Sequence, residues 1–315
     1  MSLEMIDVSG LATIQDSGRR SWRRFGVPMS GPMDAFAFHA ANSLASNPVE
    51  CAVIEIGLGD AIFQATRDCV IAVTGVGYQL SVYIWEFPLW NSFFIRAGWK
   101  ISLNKRDNGM WAYLAVTGGI QTQPILGSRS TYLRGAFGGF NGRQLQIGDV
   151  IETGNLSPSS HELAGRTLPK EALPAYIQNP TIDVIIGPQT KYFNDDSMDT
   201  FLSSEYSMSL TSDRMGYRLE GPQLTHRGKT ELISEGMTFG AIQVPSNGQP
   251  IVMMADCPTT GGYPKIGTVA TADLPLLAQC VPNKSRIRFR ETTVSKAQKK
   301  YRALMSGLRS IVEAD

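Results

Sequence analysis

The stretch Ala255-Asp256-Cys257-Pro258-Thr259-Thr260-Gly261-Gly262-Tyr263-Pro264-Lys265 places one carboxylate and one ammonium at the two ends of a turn rich in Thr and Gly. The apolar run at residues 251–254 reads as a strand that delivers Asp256 to its end. Two adjacent glycines let backbone approach a ligand closely, and exposed N–H groups can form an anion-binding nest. Asp256 and Lys265 could then face each other as a base and a cation, with Tyr263 beside them. The plainer alternative is a solvated hairpin tip carrying a surface ion pair of about 0–1 kcal/mol. A second segment, Ser212-Asp213-Arg214-Met215-Gly216-Tyr217-Arg218, could present two guanidinium groups to one anion, with Asp213 orienting one of them. There the alternative is an ion pair that closes a strand turn.

Other stretches lose chemical meaning on inspection. His39, His161 and His226 lie far apart with no paired spacing, which argues against a zinc or facial-triad site. No G-x-S-x-G elbow is present. Between Gly221 and Gly228 lie six residues where a phosphate loop needs four, so the Gly221 to Thr230 stretch reads as a hairpin loop. No lysine stands in an M-K-M context, so no biotin is expected on this chain. The Arg19-Arg20 and Arg23-Arg24 pairs read as a solvated basic patch, with Arg19 and Arg24 in more fixed geometry beside their glycines.

Short apolar runs recur and read as strands at residues 53–56, 69–73, 80–85, 93–95, 101–103 and 111–116, then at 182–186, 231–233, 241–244, 251–254 and 286–289. Only three stretches read as helices. Residues 34–45 are apolar around most of their surface, with Pro32 expected to start the helix and Asp34 near its positive end. Residues 194–203 open with Asn194, Asp195 and Asp196. Residues 295–312 carry an amphipathic stripe. Thirty-one glycines and seventeen prolines exceed the roughly 12% of average usage and point to many turns. The expected class is mainly β with a few covering helices.

At 315 residues the chain is long enough for two domains. Residues 1–165 and 175–315 are the expected pair, joined by the polar, proline-bearing segment from 154 to 180. An internal echo supports duplication: Arg24, Gly26, Gly31 and Pro32 share a spacing with Arg214, Gly216, Gly221 and Pro222. Glu55 to Ile62 is likewise echoed by Glu235 to Ile242. With 29 basic and 28 acidic residues the net charge is +1, which gives no global field for nucleic acid or an anionic membrane. Four cysteines without a C-x-x-C pair, and no apolar run near the ~18 residues of a membrane span, suggest a reducing cytoplasmic setting with mostly buried thiols.

Longer motifs carry a resemblance. QDSGR (15–19), GVPMSGPMD (26–34), AANSLASNP (40–48), IEIGLGDAIF (54–63), YLAVTGGI (113–120) and LGSRST (126–131) resemble the allophanate hydrolase subunit 2 family. So do SDRMGYRLEG (212–221), LISEGMTFGAIQVP (232–245), GQPIVMMAD (248–256) and TTGGYPKIGTV (259–269). Departures fall at Ser21, Trp99 and Cys257-Pro258. The family takes in biotin-dependent carboxyltransferase-like domains, KipA and the C-subunit proteins of 5-oxoprolinase (PxpC). The resemblance implies two tandem cyclophilin-like β-barrel domains. It also implies an allophanate hydrolase subunit 1-type partner (KipI or PxpB) and a third protein of the LamB/YcsF type (PxpA).

Such assemblies act as ATP-dependent 5-oxoprolinases, opening the lactam of pyroglutamate to glutamate; ATP would be shared with, or bound by, the partner subunits. Two other functions are carried by relatives: carboxyl transfer in a biotin-dependent urea or amide carboxylase, and KipA-like regulation without catalysis. From motif position, Asp256 is the expected proton handler, and Arg214, Arg218 and Lys265 the expected anion-binding groups. Tyr263 and Gln243 would support them by hydrogen bonding. Glu235, Asp34, Ser128 and Arg129 form a second tier, and no metal ligands are expected.

Overall fold

The structure is a computed structural model that describes residues 2–154, 163–228 and 230–313. It forms two compact units: Met1–Arg19, Ser30–Leu173 and Met305–Asp315 make the first, Arg20–Met29 and Pro174–Leu304 the second. Residues 155–162 of the expected connection, with His161, lie outside the described residues, as does Lys229.

The first unit holds eleven described strands: β1 (Ser2–Val8), β2 (Leu11–Gln15), β3 (Val53–Gly57), β4 (Ala61–Ala65), β5 (Cys69–Gly75), β6 (Tyr78–Val82), β7 (Trp85–Phe87), β8 (Asn91–Ile95), β9 (Lys100–Lys105), β10 (Trp111–Val116) and β11 (Val150–Glu152). They form a six-stranded sheet in the order β11-β1-β4-β9-β6-β7 and a five-stranded sheet in the order β2-β3-β10-β5-β8. Alternation on β4 and β6 sends Ala61, Phe63, Leu80 and Val82 into one core with Ile54, Ile56, Ile71, Val73, Leu114 and Val116 of the other sheet. Strands β5 and β10 are buried along their whole length, which explains their unbroken apolar sequences. The run at residues 80–85, expected as one strand, is instead a hairpin. Tyr83 takes φ 57°, and Val82 pairs with Trp85 across a two-residue turn.

Helix α1 (Ala35–Leu44) covers this unit and buries Phe36, Ala37, Phe38, Ala40, Ala41 and Leu44. Asp34 is its N-cap, accepting from Ala37 N at 2.9 Å. Pro32 therefore lies two residues before the cap rather than at the first helical position. Gly31 at φ 93° and Ser30 at φ 56° make the turn that leads into it.

In the second unit the helices are α2 (Asp195–Ser203), α3 (Leu274–Ala278) and the first half of α4 (Val294–Glu313), which continues into the first unit from Met305. The strands are β12 (Thr181–Ile186), β13 (Glu205–Met208), β14 (Gly216–Glu220), β15 (Glu235–Gly236), β16 (Ala241–Gln243), β17 (Ile251–Met253), β18 (Thr260–Gly261), β19 (Lys265–Val269) and β20 (Arg286–Glu291). Seven close a barrel in the order β12-β19-β16-β17-β14-β13-β20, sealed by the parallel β12–β20 pair. Strands β15 and β18 form a separate two-stranded ribbon. The run at 231–233 is not a strand: Ile233 is 92% exposed, and although Leu232 N donates to Gly262 O, the ladder starts only at Glu235. Phe201 stacks on Phe289 at 4.6 Å, and the buried Tyr217 hydroxyl donates to Ala278 O at 2.9 Å.

The echoed turns adopt different structures. Arg24 closes a 3-10 turn (Arg20–Phe25), and Gly31-Pro32 precede a helix. Arg214 instead precedes β14, and Gly221-Pro222 follow it. Equal Gly and Pro spacing permits a turn in both places, but AFAFHAANSL continues as a helix and YRLE as a strand. The chain as a whole is mainly β with few helices.

Candidate functional site

In the second unit the candidate residues divide into two clusters. The first centres on Arg214 and Asp256. Strands β14 and β17 pair antiparallel with Gly216 opposite Met253, so the residues just outside the pairing meet. Asp256 N donates to Arg214 O at 2.8 Å. The Arg214 side chain donates from Nε to Oδ2 of Asp256 at 2.9 Å and from Nη2 to Oδ1 at 3.2 Å. Both side chains are about 6% exposed. This two-point contact is the strong form of a guanidinium–carboxylate pair. Asp213 turns its carboxylate to the N–H groups of Met215 and Gly216, capping the turn. Arg218 points outward from β14 and is exposed. Arg214 sits in the turn before β14, where Asp213 and Gly216 exchange backbone hydrogen bonds, so the turn separates it from Arg218 on the strand.

The second cluster centres on Lys265, whose ion-pair partner is Glu235 rather than Asp256. The Lys265 Nζ lies 2.9 Å from Glu235 Oε2, with the lysine side chain 20% and the glutamate 53% exposed. Hydrogen bonding from Lys265, then its charge, holds the Glu235 carboxyl below its usual range. Gln189 clamps the pair: its Nε2 donates to Glu235 Oε2 at 2.7 Å, and its Oε1 accepts from Lys265 N at 2.7 Å. Gln243 pairs with Lys265 across β16 and β19, and its Nε2 donates to Tyr263 O at 3.2 Å. Tyr263 is 37% exposed. Glu235 stands opposite Gly261 in the ribbon, so the two-glycine turn and this carboxylate are neighbours. A Cβ on Gly261 would come within 2.6 Å of the Gln243 amide. Together these groups offer a partly open cation, an amide donor and acceptor, and a displaceable carboxylate.

Arg23, expected in a solvated basic patch, is instead half-buried and held in place. Its guanidinium donates to Met237 O and lies 4.0 Å from Cys257 Sγ. Burial raises the Cys257 thiol, and the nearby Arg23 charge only partly offsets it. Arg24, expected to be fixed, is instead exposed and rests on the Phe25 ring. Gln189 carried no motif either; the preceding Gly187-Pro188 turn was its only local signal.

The second-tier residues Ser128, Arg129 and Asp34 belong to the first unit. Asp16 is the organiser of the first two: it accepts from Gly18 N, from the Ser128 and Ser130 hydroxyls, and from Arg129 N. The Arg129 Nε donates to Thr122 O at 2.8 Å. Arg19, 1% exposed, donates to Ile125 O and Ser130 O and lies 4.8 Å from the Phe137 ring centre. The QDSGR and LGSRST motifs therefore meet in space. Asp34 caps α1, and its N–H donates to the Tyr113 hydroxyl at 2.7 Å. That hydroxyl donates to buried Glu55 at 2.8 Å, which also accepts from Met33 N. A cavity of about 470 Å³ opens beside Gln121, Gln123, Phe137, Phe140, Asn141 and Glu152.

Among the described residues no three His, Cys, Asp or Glu side chains gather closely enough to hold a metal ion. All four cysteines are free, and burial pushes Cys69 and Cys280 up to about 12. No helix among the described residues is long and apolar enough to cross a membrane.

Comparison with known proteins adds the lineage. The family profile described as carboxyltransferase domain, subdomain A and B, matches residues 25–291. The 5-oxoprolinase C-subunit of Haemophilus influenzae is 38% identical over 301 residues, covering 94% of this chain and 93% of that protein. Its Escherichia coli counterpart is 36% identical, again over 94% of this chain and 93% of its own. Among solved structures, the Kluyveromyces lactis urea amidolyase superposes with a TM-score of 0.92 at 27% identity. That match covers 98% of this chain and 20% of the much longer yeast chain. With the profile spanning most of its length, this chain belongs to the carboxyltransferase domain, subdomain A and B, family.

Proposed function

We propose that this chain is the PxpC-type component of an ATP-dependent 5-oxoprolinase that opens the lactam of 5-oxoproline to L-glutamate. The observation that carries the reading is identity of 36–38% with two 5-oxoprolinase C-subunit proteins, over nearly the whole of both chains. Its partners in this reading are an allophanate hydrolase subunit 1-type protein (KipI or PxpB) and a LamB/YcsF-type protein (PxpA), acting together in the cytoplasm.

The chemistry asks for groups of the kind clustered in the second unit. A lactam is a poor electrophile. Water must add to the carbonyl carbon, the C–N bond must break, and the nitrogen must leave with a proton as an amine. Fixed cations and donors favour the oxygen on which charge develops. In this reading Lys265, released from Glu235, binds an anionic group of the substrate, and Gln243 and Tyr263 orient the amide. Asp256 and Arg214 act together, the guanidinium holding the carboxylate in place as a proton acceptor. Arg218 lies on the outer surface of β14 and would serve at an interface with a partner subunit.

When bound by the assembly, ATP would supply the driving force for activating the amide oxygen. The Gly221 to Gly228 stretch leads toward β15 rather than into a helix, so it does not form a phosphate loop. In this reading ATP is shared with, or bound by, the partner subunits.

The test mixes this chain with both partner proteins and follows ATP-dependent glutamate release from 5-oxoproline. Absence of release with all three present sinks the reading. A second reading, the carboxyltransferase subunit of a biotin-dependent urea or amide carboxylase, draws on the family profile and the urea amidolyase superposition. It predicts carboxyl transfer from carboxybiotin on a separate carrier to urea, with no glutamate release.

A further inference from the structure

The near-neutral net charge conceals a strong asymmetry. Residues 284–302 contain eight Lys or Arg and a single acidic residue, Glu291, a local charge of +7. The rest of the chain, with 21 basic and 27 acidic residues, carries −6. This segment is β20 and the first half of α4, and it lies wholly in the second unit. Alternation on β20 buries Ile287 and Phe289 and turns Arg286, Arg288 and Arg290 outward.

Part of the charge is neutralised within the unit. Arg288 pairs with Glu205, and Arg290 and Lys300 with Asp183; Lys300 also reaches Asp273. Arg286, Lys296, Lys299 and Arg302 are exposed and form no ion pair among the described residues. Among them stand Val294, 54% exposed, and Tyr301, 39% exposed.

We infer that this face of β20 and α4 is a docking surface for an acidic face of a protein partner, one of the other subunits of the complex. The inference rests on the proposed function's reading that the chain works beside other subunits. Unpaired cations grouped on one face favour an acidic partner through charge complementarity, which raises the association rate. The exposed Val294 and Tyr301 supply the apolar and aromatic contact that protein interfaces use at their centre. A membrane surface fits less well, because Leu308 and Ile311 on the apolar stripe of α4 are already buried. A nucleic acid fits less well too, since the acidic remainder of the chain repels an extended polyanion.

The experiment measures association of the full chain with the subunit 1-type and LamB/YcsF-type proteins at several salt concentrations. It compares the parent with the charge-reversal variant K296E/K299E/R302E and the neutral variant K296Q/K299Q/R302Q. Expected are unchanged thermal midpoints and binding to one subunit at least about tenfold weaker for the reversal. The neutral variant should fall between, and the salt dependence should be shallower in both. Normal, salt-insensitive binding by the reversal variant to both subunits overturns the inference while leaving the complex intact. If the parent binds neither subunit, the inference falls together with the complex itself. Variant-sensitive binding to vesicles of phosphatidylcholine and phosphatidylserine, or to a 20-base-pair duplex, with subunit binding unaffected, also overturns it. So does loss of self-association alone.

Discussion

Arg214 grips Asp256 through two hydrogen bonds of 2.9 and 3.2 Å, with both side chains nearly closed off from solvent. The residues are 42 positions apart and meet because β14 and β17 lie side by side. A buried pair of this geometry orients a carboxylate, and each partner serves as the other's counter-charge.

Asp256→Ala is therefore expected to destabilise the second unit by about 3–5 kcal/mol, since it removes the counter-charge of a buried guanidinium. Asp256→Asn keeps one hydrogen bond and should cost less. Urea unfolding of the isolated chain checks both. Activity of the assembled complex should fall far more than stability does for the Asn variant; full activity there would remove Asp256 from the chemistry.

The Lys265–Glu235 pair calls for a different outcome. Glu235 is solvent-facing, so Glu235→Gln should leave the thermal midpoint essentially unchanged. Freed of that carboxylate, Lys265 should bind an anionic substrate at least as well as before, seen as a KM that is unchanged or lower. Lys265→Ala should raise KM instead. Equal kinetics in all three proteins would show that the cluster takes no part in substrate binding.

Asp183 sets an acid limit on stability. Burial raises its carboxyl, but hydrogen bonds from Lys300 and Arg290 outweigh that and hold it below the ordinary range. A depressed carboxylate contributes stability that is present above its unfolded value, near ~3.9, and lost as pH falls through the folded value. Arg290→Gln weakens the depression, so its acid unfolding midpoint should move to higher pH, read by tryptophan fluorescence between about pH 2 and 6. Burial raises the Asp273 carboxyl, which opposes this dependence but does not touch Arg290. An acid midpoint unmoved by Arg290→Gln would contradict the assignment.

At the start of α1, Asp34→Ala removes the acceptor for Ala37 N and should cost about 0.5–2 kcal/mol, whereas Asp34→Asn should cost little. Denaturant titration distinguishes them. A large loss of complex activity with Asp34→Asn would instead give Asp34 a chemical role beyond its cap.

Much of this was legible locally. The cap Asp34, the acidic first turn Asp195-Asp196 of α2 and the stripe of α4 announce their helices, because capping, the helix dipole and amphipathic spacing act over three or four residues. The Asn194 side chain itself makes no cap hydrogen bond. The strands that read most clearly are those buried on both faces, such as β5 and β10. Short strands such as β13 and β18 gave no comparable signal, since so few residues hold too few alternations. Candidate residues were legible as types: Asp256, Lys265 and Arg214 stood out through turns and charge.

Their partners were not. Lys265 finds Glu235 through a two-residue ribbon, and Gln189 reaches both from 46 and 76 positions away. Which carboxylate meets which cation depends on strand register and on which face each side chain leaves, and both are set only by the folded barrel and the ribbon beside it. By itself the sequence determined the mainly β class, three of the four described α-helices (the short α3 was not expected) and the charge concentrated at residues 284–302. Only tertiary structure decided which of those charges are neutralised by Asp183, Asp273 and Glu205 and which remain open, because those acids come from strands and turns far along the chain.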